Sequence, residues 1–115
     1  MSRSKAKGTQ AESAVITYLK TWWPHVERRA LSGTLDRGDV AGLIGVCIEI
    51  KNHASINLAE FVDEAVTEGR NAKADVAAAW IKRRGKGNPG DWYVAMNGEQ
   101  FVQLLIAAGY GQEKP

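Results

Sequence analysis

Apolar residues recur along this chain at two spacings, and the switches between them mark out its elements. Ala11, Ala14, Val15, Tyr18, Leu19 and Trp22 follow the three-to-four spacing of a helix face. Thr9, with Glu12 three residues on, fits a capping box, so this helix is expected to open at Thr9 and to end at Pro24. Residues 1–8 read as a flexible basic arm. Residues 26–31 (VERRAL) suit a short strand or an extended edge, and 32–39 (SGTLDRGD) a turn-rich loop. Between 40 and 51, VAGLIG turning into VCIEIK predicts a β-hairpin. Its second half alternates, with Val46, Ile48 and Ile50 on one face and Cys47, Glu49 and Lys51 on the other.

Asn57, followed by Glu60, caps a second helix with Leu58, Phe61, Val62, Ala65 and Val66 as its apolar stripe. Residues 75–82 (DVAAAWIK) suit a strand buried on both faces, and 92–96 (WYVAM) another strand. Asn97 with Gln100 caps a last helix, with Phe101, Leu104, Leu105 and Ala108 on its core side, Gly109 at its end and a flexible tail over 110–115. The order is αβββαββα. The strand after the second helix should lie parallel to the 46–51 strand through a right-handed crossover. This is an α/β fold, a mixed central sheet flanked by helices, in a single domain over 1–115.

Composition narrows the class. A chain of 115 residues, 44% hydrophobic and 24% charged, is an ordinary globular mix with room for one domain and a real core. One cysteine excludes an internal disulfide or a Cys-based zinc site, and two scattered histidines exclude a His-metal site. No apolar run approaches the ~18 residues of a membrane span, and MSRSKAKGTQ contains no stretch like that of a signal peptide. A cytoplasmic protein with no membrane partner is expected. Among the four tryptophans, Trp22 and Trp80 fit core positions, and Trp23 and Trp92 fit interface anchors.

The net charge of +2 conceals a segregated distribution. Residues 1–37 hold seven basic and three acidic side chains, 60–68 four acidic and no basic, and 82–86 four basic and no acidic. Glu60, Asp63, Glu64 and Glu68 read as the wet face of the second helix, Glu64 with a possible supporting role near the site. Segregated positive charge suits a polyanionic partner.

Asp39, Glu49 and Lys51 are the sharpest chemical constellation. Asp39 stands where the first hairpin strand begins, and Glu49 and Lys51 share a face near the end of the second. A short hairpin brings the two carboxylates to one end of the sheet, the environment a hard cation such as Mg²⁺ takes. A lysine beside them can orient or deprotonate an attacking water and offset developing negative charge. Asp36, three residues earlier in the loop, ranks behind Asp39 because rigid elements hold ligands better than loops.

The run from Gly33 to Gly42, G-T-L-D-R-G-D-V-A-G, followed by C-I-E-I-K at Cys47–Lys51, resembles the core of the PD-(D/E)XK nuclease superfamily. Within it the chain is similar to the small Holliday junction resolvases of archaea and phages, over roughly residues 5–108. One departure is Gly38 where a proline often precedes the aspartate. The resemblance implies a restriction-endonuclease-like fold and a Mg²⁺-dependent endonuclease, with Mn²⁺ able to substitute. It implies Asp39, Glu49 and the carbonyl of Ile50 as metal ligands, Lys51 as the catalytic lysine, and Glu12 leaning over the site from the first helix. Given such a core, Lys5, Lys7, Arg28, Arg29, Ser32, Arg37, Lys82, Arg83, Arg84 and Lys86 become candidates for DNA phosphate contact. The implied partner is a four-way DNA junction, whose approximate two-fold symmetry a homodimer would match. The alternatives are a related nuclease acting on ends, flaps or single strands, and a DNA-binding module without catalysis.

Overall fold

The computed structural model describes residues 3–30, 33 and 35–112, with side chains from residue 6 onward. Ser32 and the side chain of Lys5, both candidate phosphate contacts, therefore lie outside the described residues. The elements are α1 (Arg3–Leu19), β1 (Glu27–Arg28), β2 (Val40–Ala41), β3 (Val46–Lys51), α2 (Leu58–Asn71), β4 (Val76–Ile81), a 3₁₀ turn (Pro89–Asp91), β5 (Tyr93–Ala95) and α3 (Gly98–Ala108). The order is the expected αβββαββα, with the 3₁₀ turn added between the last two strands.

Helix α1 is longer at its front than the capping box predicts. It begins at Arg3, so residues 3–8 are helix and not arm. Lysine, arginine and alanine favour helix, and the Glu12 carboxylate turns away from Thr9 to bond Arg28. The helix closes at Leu19, whose carbonyl takes the N–H groups of both Trp22 and Trp23 before Pro24. This turn leaves Trp22 outside the core, 55% exposed, with its ring edge-on to Tyr18.

The expected hairpin over 40–51 forms only in part. Val40–Ala41 pair antiparallel with Glu27–Arg28, and the link from this segment to β3 is the Asp39 N–H donating to the Ile48 carbonyl at 2.9 Å. Gly42 and Gly45, at φ +89° and +88°, turn the chain out of strand geometry after two residues. A side chain at Gly42 would strike the His25 carbonyl, so the loop packs directly on the end of the first segment.

The main sheet is mixed, in the order β3-β4-β5. β4 runs parallel to β3 (Val46↔Val76 through Lys51↔Ile81) and antiparallel to β5. β4 is buried along its whole length, as its composition requires. Ile48, Ile50, Trp80 and Trp92 pack beneath Ala11, Val15, Ile16 and Leu19 of α1 on one face. Phe61 and Ala65 of α2 pack against Ala79 and Ile81 on the other. Trp92 is thus core and not an interface anchor, its indole N–H bonded to the Lys86 carbonyl. The predicted alternation of β3 holds. Ile48 and Ile50 face α1, and Glu49 and Lys51 face the side from which α2 offers Glu64.

Helix α3 departs most from expectation. Both its caps are as predicted, Asn57-style at Asn97 and left-handed at Gly109, yet none of its residues is buried. β5 covers only Ala79–Ile81 of β4, and beyond it Gln100 Oε1 accepts the N–H of Ala77 at 2.8 Å. The helix therefore stands at the margin of the sheet, and Phe101 and Leu104 remain exposed.

Candidate functional site

Glu49 and Lys51 stand near the carboxyl end of β3, the end at which parallel α/β sheets bind ligands. The β4 chain leaves the sheet beside them, the Lys82 N–H donating to the Lys51 carbonyl at 2.9 Å. The basic loop of Lys82, Arg83, Arg84 and Lys86 therefore departs from the same end. It is tied down on both sides by tryptophan: Trp80 bonds the Pro89 carbonyl and Trp92 that of Lys86.

Asp39 comes to this end through its backbone and side chain together. Its N–H bonds Ile48, and its Oδ2 accepts the N–H of Ile50 at 2.6 Å, which lays the carboxylate along β3 beside Glu49. Burial, then the charge of Glu49, push the Asp39 carboxyl up to about 7, against the opposing pull of the Ile50 hydrogen bond.

Glu49 is only 6% exposed, and among the described residues no nitrogen donor reaches its Oε2, which leaves the Glu68 carboxyl as its neighbour. The other Glu49 oxygen lies 3.3 Å from the Lys51 ammonium. Burial raises the Glu49 pKa above the usual carboxylate range. Lys51 is held against α2 by a 2.8 Å bond to Glu64, with the Phe61 ring 5.5 Å from the ammonium. Burial pulls the ammonium's pKa down, but the contacts to Glu64 and Glu49 outweigh this and hold it above its ordinary value. Lys51 is therefore a cation at neutral pH.

Two acidic residues outside the expected ligand set enter the site. Glu68, expected on the wet face of α2, is 3% exposed. It lies seven residues after Phe61 and three after Ala65, so the apolar stripe itself carries it inward; a glutamate inside that stripe was the available signal. Gly69 beside it lets α2 approach the sheet, since a Cβ there would stand 2.8 Å from that of Ala77. Asp36, ranked behind Asp39, offers an oxygen within 4.8 Å of oxygens of both Glu49 and Glu68. Burial and the neighbouring Glu49 push the Glu68 carboxyl up to about 11, so Glu68 keeps its proton at neutral pH.

These shifts carry a sign for stability. Asp39 and Glu68 bind protons in the folded chain over a range where the unfolded chain has released them, so folding weakens as pH rises from about 4 through 7 and beyond. With EDTA present, the melting temperature is expected to fall by on the order of 5 °C between pH 5.5 and 8.5. Mg²⁺ should raise it more at pH 8.5 than at 5.5, because the deprotonated carboxylates are the ones a cation occupies. A melting temperature that climbs across this range in EDTA would contradict the buried, proton-bearing carboxyls.

On the α1 side, Glu12 does not reach toward Glu49. It accepts from Arg28 at 3.0 and 2.7 Å, across a half-exposed pair. Arg29 is anchored by its Nη2 on the Val40 carbonyl at 3.3 Å. Glu12, Arg28, Arg29, Asp36, Arg37 and Asp39 line one open cleft of about 380 Å³. Five of the predicted site residues thus share that cleft with Asp36, while Glu49 and Lys51 do not line it and face α2. Lys7 is exposed on α1, its carbonyl bonded by Asn52 just after β3, and so it too borders this end of the sheet. Cys47 is the small buried residue expected, its thiol pushed up to about 12 by burial first and then by Glu68.

The arrangement offers carboxylate oxygens to a hard cation, a fixed ammonium beside them, and guanidinium groups at the mouth. Comparison of the chain with protein-family models, with curated proteins and with solved structures gives no match.

Proposed function

We propose that this protein is a Mg²⁺-dependent endonuclease that hydrolyses phosphodiester bonds in branched DNA, four-way junctions above all, on a restriction-endonuclease-like fold. One observation carries the reading. The buried Glu49 carboxylate has one oxygen 3.3 Å from the Lys51 ammonium and lies within 4.8 Å of carboxylate oxygens of Asp36 and Glu68, and Asp36 lines a cleft that gathers three arginines. Carboxyl groups gathered this closely repel one another when ionised unless a proton or a cation is held between them.

The residues fit a hard divalent cation. Asp39 and Glu49 would hold it with the carbonyl of Ile50, and Asp36 and Glu68 supply further oxygens from the loop and α2. Mn²⁺, which takes the same ligands, would substitute. Such an ion supplies charge neutralisation on the phosphate and a more acidic water. The chain's own groups supply the rest. Lys51, held charged by Glu64 and Glu49, donates to the attacking water or a phosphate oxygen; it does not take up a proton. Arg28, Arg29 and Arg37 seat phosphates at the cleft, and Glu12 positions Arg28 for this. The basic loop over 82–86 extends the phosphate track from the same end of the sheet. Hydrolysis forms a bond from the water oxygen to phosphorus and breaks the bridging P–O bond; the water releases one proton to solvent and the leaving oxygen takes one up.

The test compares junction, flap, linear duplex and single-stranded DNA side by side, in Mg²⁺, in Mn²⁺ and in EDTA. Nicking of the junction first, in both metals and not in EDTA, is the expected result. Faster cutting of linear duplex would overturn the junction preference. No nicking of any substrate in either metal would overturn the nuclease reading in favour of a binding module.

A further inference from the structure

Two of the four tryptophans stand on the surface. Trp22 and Trp23, in the turn after α1, are 55% and 47% exposed. The Leu19 carbonyl accepts the N–H groups of both and Pro24 follows, so the backbone that presents the two rings is held. Tyr18 makes edge-to-face contacts with Trp22 and Trp80, with ring centroids 5.0 and 6.0 Å away, and Trp23 tilts against Trp22 at 6.3 Å. No ring among the described residues stacks flat on Trp22 or Trp23. With Leu19, these four aromatics line an open pocket of about 340 Å³. Single scattered hydrophobics need no explanation, but exposed rings gathered around one pocket mark a contact site.

We infer that this pocket takes an unpaired DNA base, stacked on the Trp22 and Trp23 rings, from a strand whose phosphates follow the basic loop over 82–86. Three observations select this occupant. The first is charge. From Ser13 to Val26 the only lysine, arginine or acidic residue is Lys20, and from Trp80 to Gly90 there are four cations and no acid, Asp91 being the first carboxylate after them. Cations around an apolar centre complement a strand that carries flat rings on a charged backbone. The second is continuity. Trp80 lines the pocket, and its indole N–H holds the Pro89 carbonyl, just past the basic loop, at 3.1 Å. Gly90 packs on Tyr18, where an added Cβ would stand 2.8 Å from the hydroxyl. Pocket and loop therefore form one surface. Within the loop, Lys82 and Arg83 rest on the Trp92 and Tyr93 rings, while Arg84 and Lys86 are exposed and make no ion pair among the described residues. The third is the lining. Apart from the Tyr18 hydroxyl and the indole N–H groups it has no polar side-chain group, so it suits the face of any base and reads the edge of none.

This site rests on the reading of the protein as one that acts on branched DNA, and it sharpens the substrate. Trp80 pairs with Ile50, between Glu49 and Lys51, but it packs on the α1 side while Lys51 faces α2. The pocket and the Glu49–Lys51 pair thus lie on opposite faces of the sheet, and the base in the pocket is not one at the cut bond. A base that is already unpaired costs least to seat, so the favoured substrate is a branch that carries an unpaired nucleotide.

Fluorescence titration of the full chain in EDTA tests it, with three probes of one length: a thymidine strand, the same strand paired with its complement, and a strand of abasic sugars. The thymidine strand is expected to quench tryptophan emission and to bind at least about tenfold tighter than the abasic strand, which has the phosphates and no rings. Trp22→Ala and Trp23→Ala should each weaken the thymidine strand by about 5–100-fold and leave the abasic strand unchanged, with the circular dichroism kept because both rings are exposed. Trp22→Phe should recover most of that loss. Lys86→Ala should lower the salt slope of binding by about 0.7, a slope that neither tryptophan variant moves. Equal binding of the thymidine and abasic strands would overturn the inference. So would tryptophan variants that bind the thymidine strand like the wild type, or a paired duplex that depends on the two rings as strongly as the single strand. Tryptophan emission that shifts with protein concentration alone would give the pocket to a second copy and overturn it too. Glu49→Gln should bind and quench as the wild type does. A chain that stacks the base yet nicks nothing overturns the nuclease reading and leaves the pocket, whereas nicking with normal binding in both tryptophan variants overturns the pocket alone.

Discussion

Glu49→Gln is expected to lower metal-dependent nicking by about 10³-fold or more while leaving the chain folded. The amide keeps the size of the side chain and its oxygen near Lys51, so the loss reads out charge alone. Asp39→Asn should fall to a similar level. Its oxygen still accepts the Ile50 N–H, which keeps the loop in place and separates ligand loss from misfolding. Lys51→Gln should cost about 10²–10³-fold, since it removes a donor aimed at developing charge. Asp36→Asn and Glu68→Gln, which contribute oxygens without standing beside Lys51, should cost about 10–100-fold. A second readout runs in the opposite direction. Burial disfavours the ionised form of Glu49, as its raised pKa records, so Glu49→Gln should melt higher than wild type in EDTA at pH 8 and gain less from Mg²⁺. Nicking that survives in both Glu49→Gln and Asp39→Asn would remove the cation site from this end of the sheet.

Much of the fold was legible in the sequence, because its signals were local. The caps at Asn57 and Asn97, the alternation of β3 and the apolar run of β4 each state their element within a few residues. The readings that failed depended on partners distant in the chain. Thr9 and Glu12 spell a capping box, but Arg28, sixteen residues after Glu12, takes the carboxylate. VAGLIG reads as half a hairpin, but Glu27–Arg28 take up its pairing. Phe101 and Leu104 have helical spacing, but the described residues leave both more than two-fifths exposed. An amphipathic stripe announces that a face must be covered without saying by what.

The site divides along the same line. Glu49 and Lys51 follow from strand periodicity, and Asp39 from its place before a strand. Glu68 was misplaced because acidic residues on a helix were counted as a group and not weighed against the stripe that carries one of them inward. Glu12 sits in the right place for the cleft yet acts on an arginine, a distinction that only the contact with Arg28 makes.

Gly38→Ala is expected to be the most damaging single change outside the ligands, destabilising the fold by about 2–4 kcal/mol. Two effects combine. Gly38 stands at φ +89°, where an L side chain is strained. It is also buried against β3, and an added Cβ would lie 2.7 Å from the Cys47 Sγ and 3.1 Å from the Ile48 carbonyl. The same positive φ excludes proline from this position, since its ring fixes φ near −65° and cannot take this turn. The left-handed turn sets the Asp39 N–H on Ile48 and its carboxylate on Ile50, and Asp36 closes the loop from the other side by accepting the Gly38 N–H at 2.9 Å. Gly38→Ala should therefore lose activity beyond what its stability loss explains. At a temperature where the variant is still fully folded, nicking is expected to fall at least tenfold, with weakened Mn²⁺ binding. Gly33→Ala separates strain from packing, because Gly33 shares the positive φ (+74°) but has no atom within 4 Å of an added Cβ. It should cost about 1 kcal/mol and leave nicking near wild type. Equal losses in the two variants would mean that the contact of Gly38 with β3 does not hold Asp39 in place.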